Sequence, residues 1–361
     1  MLESVRSNSF QIVRLFALVI LAVFVLVGGF ILLQNLQHVK MIMMVFAVIW
    51  GVGSVALLFW VFNSIAQAMP RKIRPIAVAL VFAGPAIVLL AWALVLPTLR
   101  SLWLSFFDDT GHQFVFLDNY TFAFTDPIML ESFKNNLLWM VFGTSFCVIL
   151  GLIIAVLSDK SKFEKLFKAL IFLPMAISFV GAGVIWKFMY SYKGEGININ
   201  EIGLLNAIVV ALGGKAQSWL LMPVWNNFFL IAIMVWLQTG YAMVILSSAI
   251  KGIPLEIIEA AKMDGANEFQ IFFKITIPFI MPTIVTVATT ILIFSLKLFD
   301  IVRVMTGGNF GTNVIANEFY QRQFTYRKTG QASAIAIVLL ICTIPVLIYN
   351  LRQFRKRRTI K

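Results

Sequence analysis

The sequence predicts an all-α protein that crosses a membrane about eight times. Hydrophobic residues make up 60% of the chain and charged residues only 12%, whereas soluble domains are about 45–50% apolar and about 25% charged. Apolar runs of roughly 20 residues recur along the chain, and a helix of that length spans a bilayer. Lysine and arginine collect at the ends of these runs, which is typical of membrane topology.

The first apolar run is expected to remain in the mature protein as a helix. It is longer than the apolar region of a signal peptide, and no small-x-small cleavage pattern follows Gln34. The expected spans are residues 12–33, 41–65, 76–98, 137–157, 169–189, 227–250, 280–298 and 332–351.

The charges predict which ends of the spans face the cytoplasm. With the N-terminus inside, the inner segments contain most of the lysine and arginine, and the outer segments 99–136, 190–225 and 299–331 contain fewer. Both termini are therefore expected in the cytoplasm, and the net charge of +13 needs no nucleic-acid partner to explain it. The inner positive residues include Arg71, Lys72, Arg74, Lys160, Lys162, Lys165, Lys168, Lys251, Lys262, Lys274, Arg352 and Arg355, and the outer acidic residues include Asp108, Asp109, Asp118, Asp126, Glu131, Glu195 and Glu201.

The chain offers no arrangement typical of a metal or redox site. Cys147 and Cys342 lie inside apolar runs, where a small polarisable side chain packs well. His38 and His112 are far apart in loop-like sequence. We therefore expect no bound metal and no redox chemistry.

The segment between the sixth and seventh runs must project from the bilayer, because its charged residues would be dehydrated in lipid. Pro254 suits the first turn of a helix, Gly265 suits a left-handed helix end, and a second helix is expected to begin near Asn267. Two short helices that meet at a glycine would form a rigid knob. The charged residues are Glu256, Glu259, Lys262, Asp264 and Glu268.

The second of these helices is expected to be apolar on one face and to end before the seventh span. Phe269, Phe272 and Phe273 supply that face. Pro278 and Pro282 are expected to bend the chain into the span.

This segment resembles the EAA loop of the integral membrane subunits of bacterial ABC importers, the binding-protein-dependent permeases. Glu259-Ala260-Ala261 is followed after three residues by Gly265 and after nine more by Ile275-Thr276-Ile277-Pro278, with Ile277 in place of the family's leucine. The runs 299–301, 305–311 and 317–320 are similar to the carbohydrate branch, the maltose-type and α-glucoside permeases.

The resemblance covers roughly residues 77–351 and implies a division of the chain. Residues 1–75 would form an N-terminal two-helix extension, and residues 76–351 a six-helix permease core. The core would include a coupling loop over 251–280, and residues 352–361 would form a basic cytoplasmic tail.

In permeases of this kind the loop docks into a cleft of a cytoplasmic ATPase. The resemblance implies that Glu259, with Asp264 nearby, meets a basic residue of the ATPase, that Ala260 and Ala261 allow close approach, and that Gly265 makes the bend.

The resemblance also implies the partners and the location. They are a second homologous permease, two ATPases, an extracytoplasmic substrate-binding protein and the lipid of the bacterial inner membrane. No Gly-rich loop ending in Lys-Ser/Thr occurs in the sequence, so the chain is expected to be non-catalytic and to bind no cofactor, with ATP and Mg²⁺ held by the ATPases.

Polar residues inside spans are costly, and they are therefore candidates for a substrate pathway. Sugar recognition needs groups that bind hydroxyls beside aromatic faces. On the resemblance, the helices that flank the loop hold the sugar, although Ser295 and Lys297 stand where the family often has asparagine. The candidate residues are Gln238, Tyr241, Phe294, Ser295, Lys297, Leu298, Phe299 and Asp300.

Lys297 is the most costly of these groups, by about 2.5–3.5 kcal/mol if it faced lipid at the membrane centre. It would either pair with Asp300 about one turn away, pair with a partner subunit, or contact a substrate hydroxyl.

The glycine-rich segment 306–312 resembles the loop that such permeases present to their binding protein. The residues expected to dock there are Thr306, Gly307, Gly308, Asn309 and Gly311.

The alternative is an ion-coupled secondary transporter of small solutes. Such proteins use Asp, Glu or His at depth within their spans, and the predicted spans contain none. A membrane enzyme would need paired catalytic groups, which the sequence also lacks.

Overall fold

The computed structural model describes residues 2–159, 161–193 and 203–358. Lys160, Glu195 and Glu201 lie outside the described residues, as do residues 359–361 of the basic tail. Two units are formed, Met1–Leu99 and Arg100–Lys361. The two units divide after Leu99, whereas the sequence analysis ends the N-terminal extension at residue 75. The extension boundary at residue 75 stays a prediction.

The first unit is built from long apolar helices. They are α1 (Leu2–Asn35), α2 (Lys40–Ala68) and most of α3 (Arg74–Leu104). The indole of Trp50 on α2 donates to the carbonyl of Val25 on α1 at 3.4 Å. Phe59 and Phe82 stack between α2 and α3 with ring centroids 6.0 Å apart. Most side chains of the unit are exposed, as lipid-facing helices require.

The second unit contains the remaining helices. Long helices that could span a membrane are separated by short ones. In order they are α4 (Asp118–Thr125), α5 (Pro127–Asp159), α6 (Glu164–Ala176), α7 (Phe179–Met189), α8 (Leu204–Ala211), α9 (Trp225–Lys251), α10 (Leu255–Met263), α11 (Glu268–Leu296), α12 (Asp300–Met305), α13 (Ile315–Tyr320) and α14 (Thr329–Arg358).

The core of the second unit lies along α9, which packs against α5, α6 and α11. At Gly151 of α5, a Cβ atom would lie only 2.6 Å from the Cβ of Ala242 on α9. Only glycine allows the two backbones to approach this closely. Trp139, Met234 and Leu246 are among the side chains buried between them.

Seven helices of the described residues are long and apolar enough to cross a membrane, and α6 with α7 supplies an eighth if the bent pair is one span. The predicted all-α fold with about eight spans is therefore confirmed.

The prediction of one continuous helix over residues 169–189 is wrong. α6 and α7 meet at an angle of 101°. Pro174 lies in the 3₁₀ turn that closes α6, and Ser178 starts α7 by accepting a hydrogen bond from Gly181 N at 3.1 Å. Proline and an N-capping serine both signal a helix boundary, but the uninterrupted apolar run concealed them.

The expectation that the second helix of the knob is short and ends before the seventh span is also wrong. α11 runs without interruption from Glu268 to Leu296, so the second helix of the knob is the first part of the seventh span. A π-helical turn over Phe272–Thr276 precedes Pro278. The altered hydrogen bonding of such a turn tolerates a residue that lacks an N–H donor.

The segment between α3 and α4 forms a tight hairpin that packs on the start of α14. Phe107 and Phe114 form an isolated antiparallel bridge. The hydroxyl of Thr110 donates to Asp108 at 2.6 Å, and together with the backbone N–H of Gln113 it lowers the pKa of Asp108 to about 2. The Asp108 carboxylate also accepts from the backbone N–H groups of His112 and Gln113, and these hydrogen bonds close the turn.

Candidate functional site

The predicted helix–glycine–helix knob is confirmed. α10 carries Glu259-Ala260-Ala261, and Gly265 follows with a φ of +80°, a conformation that favours glycine. Asn267 then caps α11: its side chain accepts from Gln270 N at 2.8 Å, and the Gln270 side chain accepts from Asn267 N at 2.9 Å. This reciprocal capping box fixes the start of α11.

The knob presents charged and large apolar side chains together on its surface. Glu259, Ala260 and Asp264 are exposed, and Ala261 is half-buried. Around them Leu255, Met263 and Phe269 are exposed by 72%, 89% and 76%. Exposed apolar side chains rimmed by charge are typical of a protein interface.

The end of α5, the start of α6 and the end of α9 meet in a cluster of polar and charged side chains, which we call the base cluster: Asp159, Glu164, Lys168, Ser247 and Lys251. The ammonium of Lys168 lies 2.5 Å from Asp159 Oδ1 and 2.6 Å from Glu164 Oε1, and it also donates to Ser247 Oγ. The hydroxyl of Ser247 donates to Asp159 at 2.7 Å, and Lys251 pairs with Glu164.

Sequence reasoning used the lysines of this cluster only as topology signals. The members are separated by up to 92 positions between Asp159 and Lys251, so no local spacing could reveal them.

The candidate substrate residues differ in accessibility. Gln238, Ser295 and Leu298 are buried, and the Ser295 hydroxyl donates to Leu292 O at 2.9 Å within its own helix. Tyr241 and Phe294 are half-buried. The two half-buried side chains are therefore better placed than Ser295 or Leu298 to meet a solute in this conformation.

The ring of Phe294 on α11 contacts the broken span, our name for the bent pair of α6 and α7. Its ring stacks on Phe179 of α7 with centroids 4.6 Å apart and planes inclined by 29°. Sequence reasoning missed Phe179, which lies at the bend that the apolar run concealed.

The predicted ion pair between Lys297 and Asp300 is not formed. α11 ends at Leu296, Lys297 is its exposed C-cap residue, and Asp300 begins α12. The two side chains are therefore not one turn apart on a common helix, which the pairing required. In the part of the chain that the structure describes, Lys297 takes part in no ion pair.

Further aromatic residues follow Lys297 in the chain. Phe299 is half-buried and lies 5.1 Å from Tyr320 between ring centroids. The guanidinium of Arg303 lies 4.5 Å from the centroid of Tyr320. Sequence reasoning named Phe299 and Asp300 here and missed Arg303.

The loop formed by residues 306–314 is a compact turn. Thr306 and Thr312 are buried and joined by a 2.6 Å hydrogen bond between their hydroxyls. Gly307, Gly308 and Gly311 all have positive φ angles, as a turn of this tightness requires. The exposed tip consists of Asn309, Phe310 and Gly311.

Buried asparagines hold this loop against α5 and α9. Asn135 donates to Gly311 O at 2.9 Å and to Asn313 O at 2.8 Å, and Asn136 accepts from Ile315 N at 2.8 Å. On α9, Asn226 donates to Phe310 O at 2.6 Å, and Asn227 donates at 3.0 Å to Gly311 O, the carbonyl that Asn135 also binds. The sequence offered no short-range signal for these contacts.

Comparisons with known proteins agree with the architecture. A family model described as "Binding-protein-dependent transport system inner membrane component" matches residues 147–358. The osmoprotective compounds uptake permease protein GgtC of Synechocystis sp. is 55% identical over 78% of this chain and 100% of its own length. The alpha-glucoside transport system permease protein AglF of Rhizobium meliloti is 50% identical over 75% of this chain and 81% of its own.

A solved structure shares the fold. It is the bacterial ABC transporter involved in the import of the acidic polysaccharide alginate, with a TM-score of 0.68 and 20% identity over 79% of this chain and 98% of that chain. At this identity the likeness concerns the fold alone.

Proposed function

Since the chain belongs to the family of inner membrane components of binding-protein-dependent transport systems, we propose that it forms one half of the translocation pathway of an ATP-driven importer. It is a multi-pass protein of the inner membrane. Membership of this family argues against the alternative of an ion-coupled secondary transporter. The exposed knob around Glu259 is the observation that carries the proposal.

The other half of the pathway is a second, homologous permease, and two cytoplasmic ATPases supply the energy. The ATPases hold ATP and Mg²⁺, and this chain is non-catalytic. Glu259 forms a charge-assisted pair with a basic residue of the ATPase, and the exposed Leu255 and Met263 add apolar contact area. This arrangement places the knob and both termini in the cytoplasm, in agreement with the distribution of lysine and arginine.

The substrate is a polyhydroxylated solute, a sugar or oligosaccharide, with α-glucosides the first compounds to test. The names of the two relatives, one for osmoprotective compounds and one for alpha-glucosides, support this choice. The chain's own support is that the aromatic side chains of Tyr241, Phe294 and Phe299 are half-buried, and that Tyr241 adds a hydroxyl. An extracytoplasmic binding protein delivers the solute to the 306–314 loop.

The test is co-expression of the chain with a second permease, an ATPase and a binding protein from the same organism. We expect the ATPase to co-purify with the wild-type chain, and the reconstituted complex to take up radiolabelled α-glucosides in an ATP-dependent manner. The Glu259→Lys variant would place like charges at the contact and is expected to weaken it by about 2–5 kcal/mol.

The matched control is Asp118→Lys, an exposed carboxylate reversed at the opposite end of the spans. Normal assembly and uptake by Glu259→Lys would refute the coupling role. Uptake of none of the glycosides by an assembled, ATP-hydrolysing wild-type complex would refute the substrate class.

A further inference from the structure

We propose that the base cluster holds the end of α5 and the start of α6 against the end of α9, from which the knob begins. Lys168 is then the positioning residue through which movement of the knob reaches the broken span. This inference rests on the proposed function, because it assigns a mechanical role within the same importer. It concerns residues outside the Glu259-Ala260-Ala261 motif.

The first observation is the coordination of Lys168. An ammonium group has three N–H donors, and those of Lys168 meet three acceptors on three helices: Asp159 of α5, Glu164 of α6 and Ser247 of α9. The side chains of Lys168 and Asp159 are only 18% and 14% exposed. A partly buried charge with all of its donors used has one preferred position, so the three helix ends are held in one arrangement.

The second observation is the link from this ammonium to the knob. Lys251, the last residue of α9, pairs with Glu164, the same carboxylate that binds Lys168. After Lys251 the chain passes through Gly252 and the buried Ile253 directly into α10. The short connection leaves little freedom between the base cluster and the knob.

The third observation is the close packing of α6 against α9, one turn beyond Lys168. A Cβ atom at Gly240 would lie 2.5 Å from Ile171 O and 2.7 Å from Phe172 Cα. The two backbones are therefore in direct contact, and α6 is held to α9 both by this contact and by Lys168. α6 must follow α9 rather than move independently of it.

The fourth observation is where α6 leads. Its outer end is the 101° bend before α7, and Phe179 at the start of α7 stacks on Phe294, a candidate substrate residue. A shift of α6 changes the geometry at this bend, since its few residues absorb rotation between the two half-helices. The knob, the base cluster, α6 and the Phe179–Phe294 contact thus form one continuous connection.

The charges of the cluster explain how a single substitution would break it. Two carboxylates and two ammonium groups balance each other. Removal of the Lys168 charge leaves Asp159 and Glu164 close together without their shared cation, and like charges at this distance repel. The helix ends then separate while the knob itself remains intact.

The experiment compares Lys168→Met with Lys165→Met in the reconstituted complex. Lys165 is an exposed lysine of the same helix, outside the base cluster. The measurements are uptake of an α-glucoside, ATP hydrolysis, and the stimulation of hydrolysis by substrate-loaded binding protein. We expect Lys168→Met to assemble and hydrolyse ATP, but to transport roughly 2- to 30-fold less substrate per ATP and to lose the stimulation.

Ser247→Ala is the milder variant, which keeps the test valid if Lys168→Met fails to fold. It removes one acceptor of Lys168 without changing the charge, and its effect combined with Lys168→Met is expected to be less than additive. The conservative variant Lys168→Arg keeps the charge and is expected to recover part of the coupling.

A distance measurement distinguishes whether the base cluster transmits movement of the knob or only stabilises the fold. Spin labels at Leu166→Cys on α6 and Ile257→Cys on α10, two exposed positions, are expected to keep the same separation in the ATP-free and ATP-bound complex. In Lys168→Met the separation is expected to change between these states.

The inference is overturned if Lys168→Met and Ser247→Ala transport as much substrate per ATP as Lys165→Met, or if the label separation is unaffected by Lys168→Met. Such a result would leave the proposed function standing. Failure of the wild-type chain to bind an ATPase would instead remove the proposed function itself.

Discussion

The end of α11 at Leu296 determines what the polar residues after it can do. Ser295 lies one position before this end and is buried, whereas Lys297 lies one position after it and is exposed. Hydropathy identifies these residues as unusual in an apolar run, but it does not say on which side of the helix end each one falls. For this reason the sequence named a set of substrate residues and left three alternatives for Lys297, of which the pair with Asp300 is not formed.

At this scale we predict that Lys297→Gln leaves stability almost unchanged and weakens substrate uptake. An exposed side chain outside an ion pair contributes little, about 0.5 kcal/mol or less, to the free energy of unfolding. The Tm of the purified chain in detergent and the KM for uptake by the complex measure the two effects. Lys187→Gln, an exposed lysine of α7, is the control. A lowered Tm with an unaltered KM would favour the structural interpretation of Lys297.

Two elements depart from the expected helices, and each departure has a local cause. α6 and α7 separate at the 3₁₀ turn containing Pro174, and α11 continues through Pro278 after a π-helical turn. Proline restricts the backbone in both places, but the surrounding hydrogen bonds decide whether the helix breaks. The effect of a proline therefore could not be read from the sequence alone.

Side chains from helices distant in the sequence hold the 306–314 loop in place. Asn136 donates to Leu296 O at 3.0 Å and accepts from Ile315 N at 2.8 Å, so it ties α5 to the end of α11 and to the start of α13. Both partners are backbone groups that would lose their hydrogen bonds if the amide were removed.

We predict that Asn136→Leu loosens the 306–314 loop and weakens docking of the binding protein. An unsatisfied buried polar group costs about 1–3 kcal/mol. Hydrogen exchange of residues 306–314 should accelerate, and the affinity of the complex for its loaded binding protein should fall. Lys134→Leu, an exposed neighbour on α5, is the matched control and should behave as wild type. Unchanged exchange in Asn136→Leu would show that the loop does not depend on this amide.

At the scale of the whole molecule, the two units differ in whether the family model matches them. The family model matches residues 147–358, entirely within the second unit. GgtC of Synechocystis sp. aligns over its full length with only 78% of this chain. About a fifth of this chain therefore has no counterpart in that permease.

We predict that a chain lacking residues 2–69 still assembles with its partners and retains ATP-dependent uptake. The deletion removes α1 and α2 and keeps Arg71 and Lys72 before α3 and Arg74 at its first position, so the orientation of the remaining spans is expected to be preserved. Co-purification of the ATPase and uptake per mole of complex are the measurements. A truncated chain that inserts into the membrane but neither assembles nor transports would assign an essential role to the first unit.

The sequence by itself determined the spans, the knob and the family resemblance, because each depends on local properties. The length of an apolar run, the cost of dehydrating Glu259 and the left-handed preference of Gly265 act within a few residues. Only the tertiary structure decided that Lys168 joins Asp159, Glu164 and Ser247, and that Asn136 meets Ile315. These contacts unite residues far apart in the chain, and they form because a polar group that leaves water must find its partners wherever packing brings them.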